Sequence, residues 1–226
     1  VDDRADWHEG IPAEYRRQVV TGDARELAAR IPAESVDLVL ADPVYDRIED
    51  YEWLAGEAAR VLKLGGNCLA QTAHYYLPEV LGVMARSLDY VWLVVEKHAG
   101  GPASFFKRRI LCSYKPWVWF SKGPRAGGWI FDWLLDSGRD KTFHKWGDPA
   151  GAMLKSVIDR LVPLDGVIWD PFAGGGPIPE AAHVLGRGWI ASELDPAKAE
   201  VARARLRSIP DPLFVTDPHC QVRMEV

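Results

Sequence analysis

The sequence predicts an α/β fold: an open, doubly wound sheet with helices packed on it. Three observations predict it. Apolar runs of strand length alternate with amphipathic helical patterns along the chain. Two of these runs end abruptly in Asp-Pro, at Asp42-Pro43 and Asp170-Pro171. A glycine cluster, Gly174-Gly175-Gly176, stands between an apolar run and a helical pattern. Such alternation builds a mostly parallel sheet, and these sheets bind ligands beyond the carboxyl ends of their strands. Both Asp-Pro pairs are therefore expected at one edge of one sheet.

The elements follow in order. "RQVVTGDA" reads as a short strand and a turn, and "ARELAARI" as a helix. "VDLVLAD" is a strand. "YEWLAGEAARVL" is an amphipathic helix, with Trp53, Leu54, Ala58, Val61 and Leu62 near helical spacing. "KLGG" reads as its stop, with glycine at the C-cap. "NCLAQTA" is a buried strand and "LPEVLGVMARSL" a helix with Pro near its start. "YVWLVVEKH" and "ILCSYKPWVWFSK" read as strands, and residues 123–148 as mixed and loop-rich. "PAGAMLKSVIDRLV" is a helix. "GVIWDPFAGGGPIPEAAHVLGR" is strand, glycine loop and helix. "GWIASELD" is a strand and "PAKAEVARARLRSI" a helix, with Pro196 at a first-turn position.

Bulk properties exclude several classes. The chain has 226 residues with ordinary apolar and charged fractions, which excludes disordered and fibrous classes. Cys68, Cys112 and Cys220 are widely spaced and form no CxxC pair, so neither a disulfide framework nor a zinc site is expected. No apolar run approaches the roughly 18 residues of a membrane span, and "VDDRADWHEG" has no apolar core of a signal peptide. A soluble, cytoplasmic protein with a processed start is expected. The net charge is −5, yet Lys97–Arg125 holds seven basic residues and no acid. Phe105, Phe106, Tyr114, Trp117, Trp119, Phe120 and Trp129 are interleaved with them. A basic field with aromatics suits a polynucleotide surface; the plainer reading is a strand with aromatics inward and cations wet.

The glycine cluster allows close backbone approach to a ligand at a helix N-terminus. It is not GxGxxG, and no GKS or GKT follows, which disfavours a triphosphate-binding loop. Seventeen residues beyond Gly176, a strand ends in Ser192-Glu193-Leu194-Asp195. A carboxylate there commonly accepts from a ribose diol. Asp195, directly before Pro196, suits a helix cap, which leaves Glu193 for the ribose.

Asp42-Pro43-Val44-Tyr45 upstream of Asp170-Pro171-Phe172-Ala173-Gly174 resembles the β-class amino-methyltransferases, which modify exocyclic amines of DNA bases. In that family a D/N/S-P-P-Y/F/W motif precedes D-P-F-x-G-x-G. The likeness spans most of residues 18–206. It implies a seven-stranded Rossmann-like class I methyltransferase sheet, mostly parallel with an antiparallel edge strand, in circularly permuted motif order. It also implies one domain over 1–226, with a target-recognition insertion at about 98–146. The cofactor implied is S-adenosylmethionine, held by Asp23, Asp170, Phe172, Ala173, Gly174, Gly176 and Glu193. Asp23 reads equally well as the Asp that begins a turn. Two positions depart from the family pattern: Val44 stands where proline is usual, and the loop reads GGGP where GSGT is usual.

The implied catalytic residues are Asp42, Pro43 and Tyr45. Asp42 and the Pro43 carbonyl accept from the two N–H groups of a base amine, and Tyr45 stacks on the base. Lys107, Arg108, Arg109, Lys122, Arg125, His144 and Lys145 are expected to contact nucleic acid, and no metal is expected. DNA is the expected partner, duplex or partly single-stranded, with a homodimer allowed. The alternatives are adenine N6 against cytosine N4, an RNA or non-nucleic amine, and a non-catalytic nucleic-acid-binding relative marked by the altered DPVY motif. Adenine is favoured because the family's acidic first position usually goes with it.

Overall fold

The computed structural model describes residues 10–97, 101–135 and 151–210. The chain runs β1 (Val19–Thr21), α1 (Ala24–Ala28), β2 (Val36–Ala41), α2 (Ile48–Val61), β3 (Leu62–Gln71), α3 (Leu77–Met84) and β4 (Asp89–Lys97). A hairpin of β5 (Ala103–Phe105) and β6 (Ile110–Cys112) precedes β7 (Tyr114–Ser121) and β8 (Trp133–Leu135). Then come α4 (Gly151–Leu161), β9 (Val167–Asp170), α5 (Pro177–Val184), β10 (Gly188–Glu193) and α6 (Pro196–Arg207).

Eight strands form one sheet in the order β1-β10-β9-β2-β3-β7-β4-β8. All are mutually parallel except β7, which runs antiparallel to both β3 and β4. The doubly wound class is as expected. Two details differ from the seven-stranded expectation. Short β8 adds an eighth strand, and the antiparallel strand lies inside the sheet. The reason is that β4 and β8 extend the sheet beyond β7. Residues 114–121 and 133–135 are sheet strands, so the expected insertion at 98–146 is broken up. Among the described residues, the β5-β6 hairpin is the strand pair that stands apart from the main sheet.

The apolar runs are continuous because the central strands bury both faces. Val39 and Ala41 of β2 join the core under α2 and α3, with Tyr51, Leu54 and Ala58. Leu38 and Leu40 join the opposite core under α4, α5 and α6, with Leu154, Val157 and Ala181. Trp117, Trp119 and Phe120 of β7 are buried in these cores, so for them the plainer reading of the aromatic run holds.

The "KLGG" segment departs from expectation. It is part of β3, and α2 passes into the strand through Leu62 with no glycine cap. The last carbonyls of α2 have other partners: Arg60 O accepts from Glu34 N, and Val61 O from Ser35 N. Lys122 Nζ donates to the carbonyl of Leu62 at 2.9 Å. Gly65, at φ +83°, serves an irregularity where β3 slips in register against β2.

One carboxylate ties the two halves at the start of the strands. Asp37 accepts from Lys63 Nζ at 2.8 Å and from the Val167 backbone N–H at 2.8 Å. Asp37→Ala leaves that N–H without its acceptor and is expected to cost about 1–3 kcal/mol. Lys63→Ala, at a half-exposed pair, is expected to cost less than about 1 kcal/mol. Urea unfolding of the two variants checks the ranking.

Candidate active site

The strands β2 and β9 lie side by side at the centre of the sheet, Leu38 opposite Ile168 and Val39 opposite Trp169. From there the chain builds outward in both directions, which makes this seam the topological switch point. Asp42-Pro43 and Asp170-Pro171 therefore leave the sheet next to each other. Above them opens a cleft of about 700 Å³, into which Asp23, Asp42, Tyr45, Phe172, Gly174 and Glu193 all face. That volume suits a cofactor-sized ligand.

Each wall has a local cause. Asp23 caps α1, accepting from Arg25 N at 2.9 Å, so the turn reading is correct while the residue still lines the cleft. Asp195 caps α6, accepting from Ala197 N at 2.8 Å. Glu193 accepts from Gly174 N at 2.8 Å with one oxygen and from Asp195 N at 2.9 Å with the other. It clamps the glycine loop to the end of β10 and keeps lone pairs for further donors. Asp170 is almost completely buried, and Oδ1 accepts from Phe172 N at 3.1 Å. Its Oδ2 is buried without a hydrogen-bond partner among the described residues. Burial pushes the carboxyl well above the usual carboxylate range, helped by nearby Asp42 and Glu193; the Phe172 N–H works the other way.

The glycines divide their duties. A Cβ on Gly174 would meet open space, so this position keeps the cleft floor clear. Gly176 is not among the cleft-lining residues. It sits at φ +84°, and a Cβ there would come within 2.9 Å of Ala202. Gly176 allows close packing of α5 against α6, and Gly175 stands in the cleft wall.

Tyr45 faces the cleft with its hydroxyl turned inward. It donates to Gln71 Oε1 at 2.5 Å and accepts from Lys115 Nζ at 3.2 Å. Burial, with Asp42 close by, drives the phenol far above its usual range, so it stays protonated. Val44, the departure from the family pattern, is exposed at the cleft rim.

The cation predictions separate. Because β7 is antiparallel, its start lies at the cleft edge and its end at the opposite edge. Lys122, just past its end, is paired with Glu34 at 3.1 Å. Arg125 stacks over Trp119 at 4.9 Å and donates to Gly128 O. Neither lines the cleft, and both have partners within the chain. Lys107, Arg108 and Arg109 are exposed on the β5-β6 turn, with Arg108 4.7 Å over Tyr75. His144 and Lys145 lie outside the described residues.

Sequence reading missed Lys115, Arg25, Asp50 and Trp53. Arg25 donates to Asp50 at 2.7 Å and lies over Trp53, whose ring meets Phe172 edge-on at 6.0 Å. Trp53 was legible only as a helix-face residue; its cleft role needs the fold. Among the described residues no group of three His, Cys, Asp or Glu side chains could hold a metal ion, and no helix is long and apolar enough to cross a membrane.

Asp170 gives a stability prediction. A raised folded-state pKa means the folded protein keeps a proton that the unfolded chain has lost, so the charge costs stability as pH rises above the unfolded value of about 4. Asp170→Asn is expected to unfold at higher temperature than the native chain near neutral pH, the gain shrinking as pH falls toward about 4. Thermal unfolding across that range measures it; an equal difference at every pH contradicts it.

Known proteins match this arrangement. A family model described as "Methyltransferase domain" matches residues 5–70. The type II methyltransferase M.HinfI of Haemophilus influenzae is 24% identical over 259 residues, covering 88% of this chain and 71% of that protein. The M1.HpyAVI–SAM complex superposes with a TM-score of 0.72 at 17% identity, covering 84% of this chain and 98% of that one. The PvuII DNA methyltransferase, described as cytosine-N4-specific, gives 0.73 at 17% identity, covering 83% and 85%. The chain is thus similar to type II DNA methyltransferases in sequence and shares the Rossmann-like class I methyltransferase fold of these solved structures.

Proposed function

We propose that the protein transfers a methyl group from S-adenosylmethionine to the exocyclic amine of a DNA base, with adenine N6 favoured. The observation that carries this is the meeting of Asp42-Pro43 and Asp170-Pro171 on neighbouring strands over one cleft. S-adenosylmethionine is the cofactor, and it supplies the electrophilic methyl group. The residues present fit it. Gly174 leaves open space at the loop, Glu193 keeps acceptor capacity for ribose hydroxyls, and buried Asp170 holds the loop from behind through Phe172 N. Phe172 and Ala173 line the same wall.

The amine is a poor nucleophile because its lone pair is delocalised into the base ring. Asp42 and the Pro43 carbonyl accept from its two N–H groups, which draws the nitrogen toward sp3 geometry and frees the lone pair. This is electrostatic preorganisation. Asp42 also offsets the developing positive charge, and it or water takes the proton. Tyr45 offers a ring for the base. Val44 supplies neither acceptor nor ring in this scheme, and its exposure is consistent with that. The target base must leave the duplex stack, at a cost of a few kcal/mol. Lys107, Arg108 and Arg109, exposed on the β5-β6 hairpin, are the phosphate contacts that would help offset it.

Both amines carry two N–H donors, so Asp42 serves adenine or cytosine alike. The cytosine-N4 specificity of the PvuII neighbour keeps N4 as the second reading. Incubation with methyl-labelled cofactor and a panel of DNA and RNA, followed by nucleoside mass spectrometry, decides. N6-methyladenine is expected. N4-methylcytosine alone refutes the base assignment, and cofactor binding without transfer to any substrate refutes catalysis.

Asp42→Ala is expected to abolish transfer while S-adenosylmethionine binds within a few-fold of the native affinity. Glu193→Ala is expected to weaken that binding by about 1–3 kcal/mol, read by calorimetry. Near-normal turnover by Asp42→Ala sinks the mechanism. Arg108→Ala with Arg109→Ala is expected to lower duplex affinity and flatten its log–log salt slope by up to about 0.9 per lost contact. Lys122→Ala, at the far edge, is expected to change neither.

A further inference from the structure

Behind the target side of the cleft lies a buried polar group that the proposed chemistry leaves unused. Glu96 in β4 is 2% exposed, and Gln71 and Trp117 beside it are fully buried. A carboxylate is buried at heavy cost unless hydrogen bonds hold it, so this one calls for a reason. Glu96 Oε2 accepts from Gln71 Nε2 at 2.7 Å and from the Trp117 indole N–H at 3.0 Å. The carboxylate takes only donors, which fixes the Gln71 amide with its nitrogen toward Glu96. Its oxygen is thereby presented to the Tyr45 hydroxyl at 2.5 Å and to Lys115 Nζ at 3.0 Å. Lys115 completes the arrangement: it donates to the Tyr45 oxygen at 3.2 Å and lies 5.8 Å from the ring centroid.

The scaffold makes this rigid. Gln71 is opposite Trp117 across β3 and β7, and Glu96 is opposite Lys115 across β4 and β7. Three neighbouring strands thus deliver four side chains to one point at the cleft edge. Tyr45 itself sits in the loop between β2 and α2, with no strand or helix to fix its ring. A ring meant to meet a base in one orientation gains rate only if its rotamer is held beforehand.

We propose that Lys115 and the Gln71–Glu96 pair are positioning residues: Glu96 sets the Gln71 amide, and Gln71 with Lys115 clamps Tyr45 beside Asp42. The clamp is a statement about the fold, while its benefit to turnover rests on the methyl-transfer reading above. Two measurements keep these apart.

The first needs no activity. The full chain is labelled with 3-fluorotyrosine, and the Tyr45 fluorine resonance is assigned by its loss in Tyr45→Phe. The native signal is expected to be displaced from that of exposed tyrosines. Lys115→Met and Gln71→Met are expected to move it toward the exposed position, and Glu96→Gln, which keeps an acceptor, to move it less. A Tyr45 signal unmoved in both methionine variants overturns the clamp. The second is kinetic. Lys115→Met is expected to lower kcat about tenfold or more, with the KM for S-adenosylmethionine unchanged. The double variant Lys115→Met with Tyr45→Phe is expected to be no slower than the slower single one, because both remove the same constraint. Unchanged kcat in Lys115→Met, or full additivity in the double variant, overturns the positioning role. A native chain that methylates no DNA overturns the methyl-transfer reading, and the fluorine signal still decides the clamp.

Discussion

The parallel pairing of β2 with β9 is the contact on which the rest of the site depends. Leu38 lies against Ile168 and Val39 against Trp169 at the middle of the sheet. These strands come from opposite halves of the chain, and each ends in Asp-Pro. Their side-by-side exit places Asp42 close enough to Asp170 to raise its carboxyl's proton affinity. At the other end of the strands, Asp37 accepts from Val167 N and so ties the start of β9 to β2. Buried apolar side chains on both faces hold the strands at a fixed register, because a slip of one residue would exchange the two faces.

That geometry has an electrostatic cost. Asp42, Asp170 and Glu193 gather at one strand edge, and Asp170 is there almost without solvent. Backbone N–H groups offset part of the cost, at Phe172 for Asp170 and at Gly174 and Asp195 for Glu193. A buried oxygen of Asp170 left without a partner among the described residues is destabilising in the free protein.

The antiparallel direction of β7 sorts the basic segment. Lys115 and Lys122 are seven residues apart, so an extended strand separates them by about 23 Å. One end joins the cleft and the other joins Glu34 at the opposite edge. A charge run that looks like one field in sequence is thus two fields in space. Of this run, Lys115 lines the cleft, and Lys97 at the end of β4 lies at the same end of the sheet.

The sequence by itself determined the fold class, the position of both Asp-Pro strand ends and the capping of α6 by Asp195. These are legible because strand and helix periods, proline restrictions and cap chemistry are local properties of the chain. Local signals could not show that Gly65 lies inside β3, because the carbonyls ending α2 are satisfied by residues 34, 35 and 122. Nor could they show that Gly176 packs against Ala202 while Gly175 faces the cleft. The tertiary structure alone decided which cations share the cleft, and that Gln71, Glu96, Lys115 and Tyr45 meet. Those four lie on three strands and a loop, and only strand order and direction bring them within hydrogen-bonding distance.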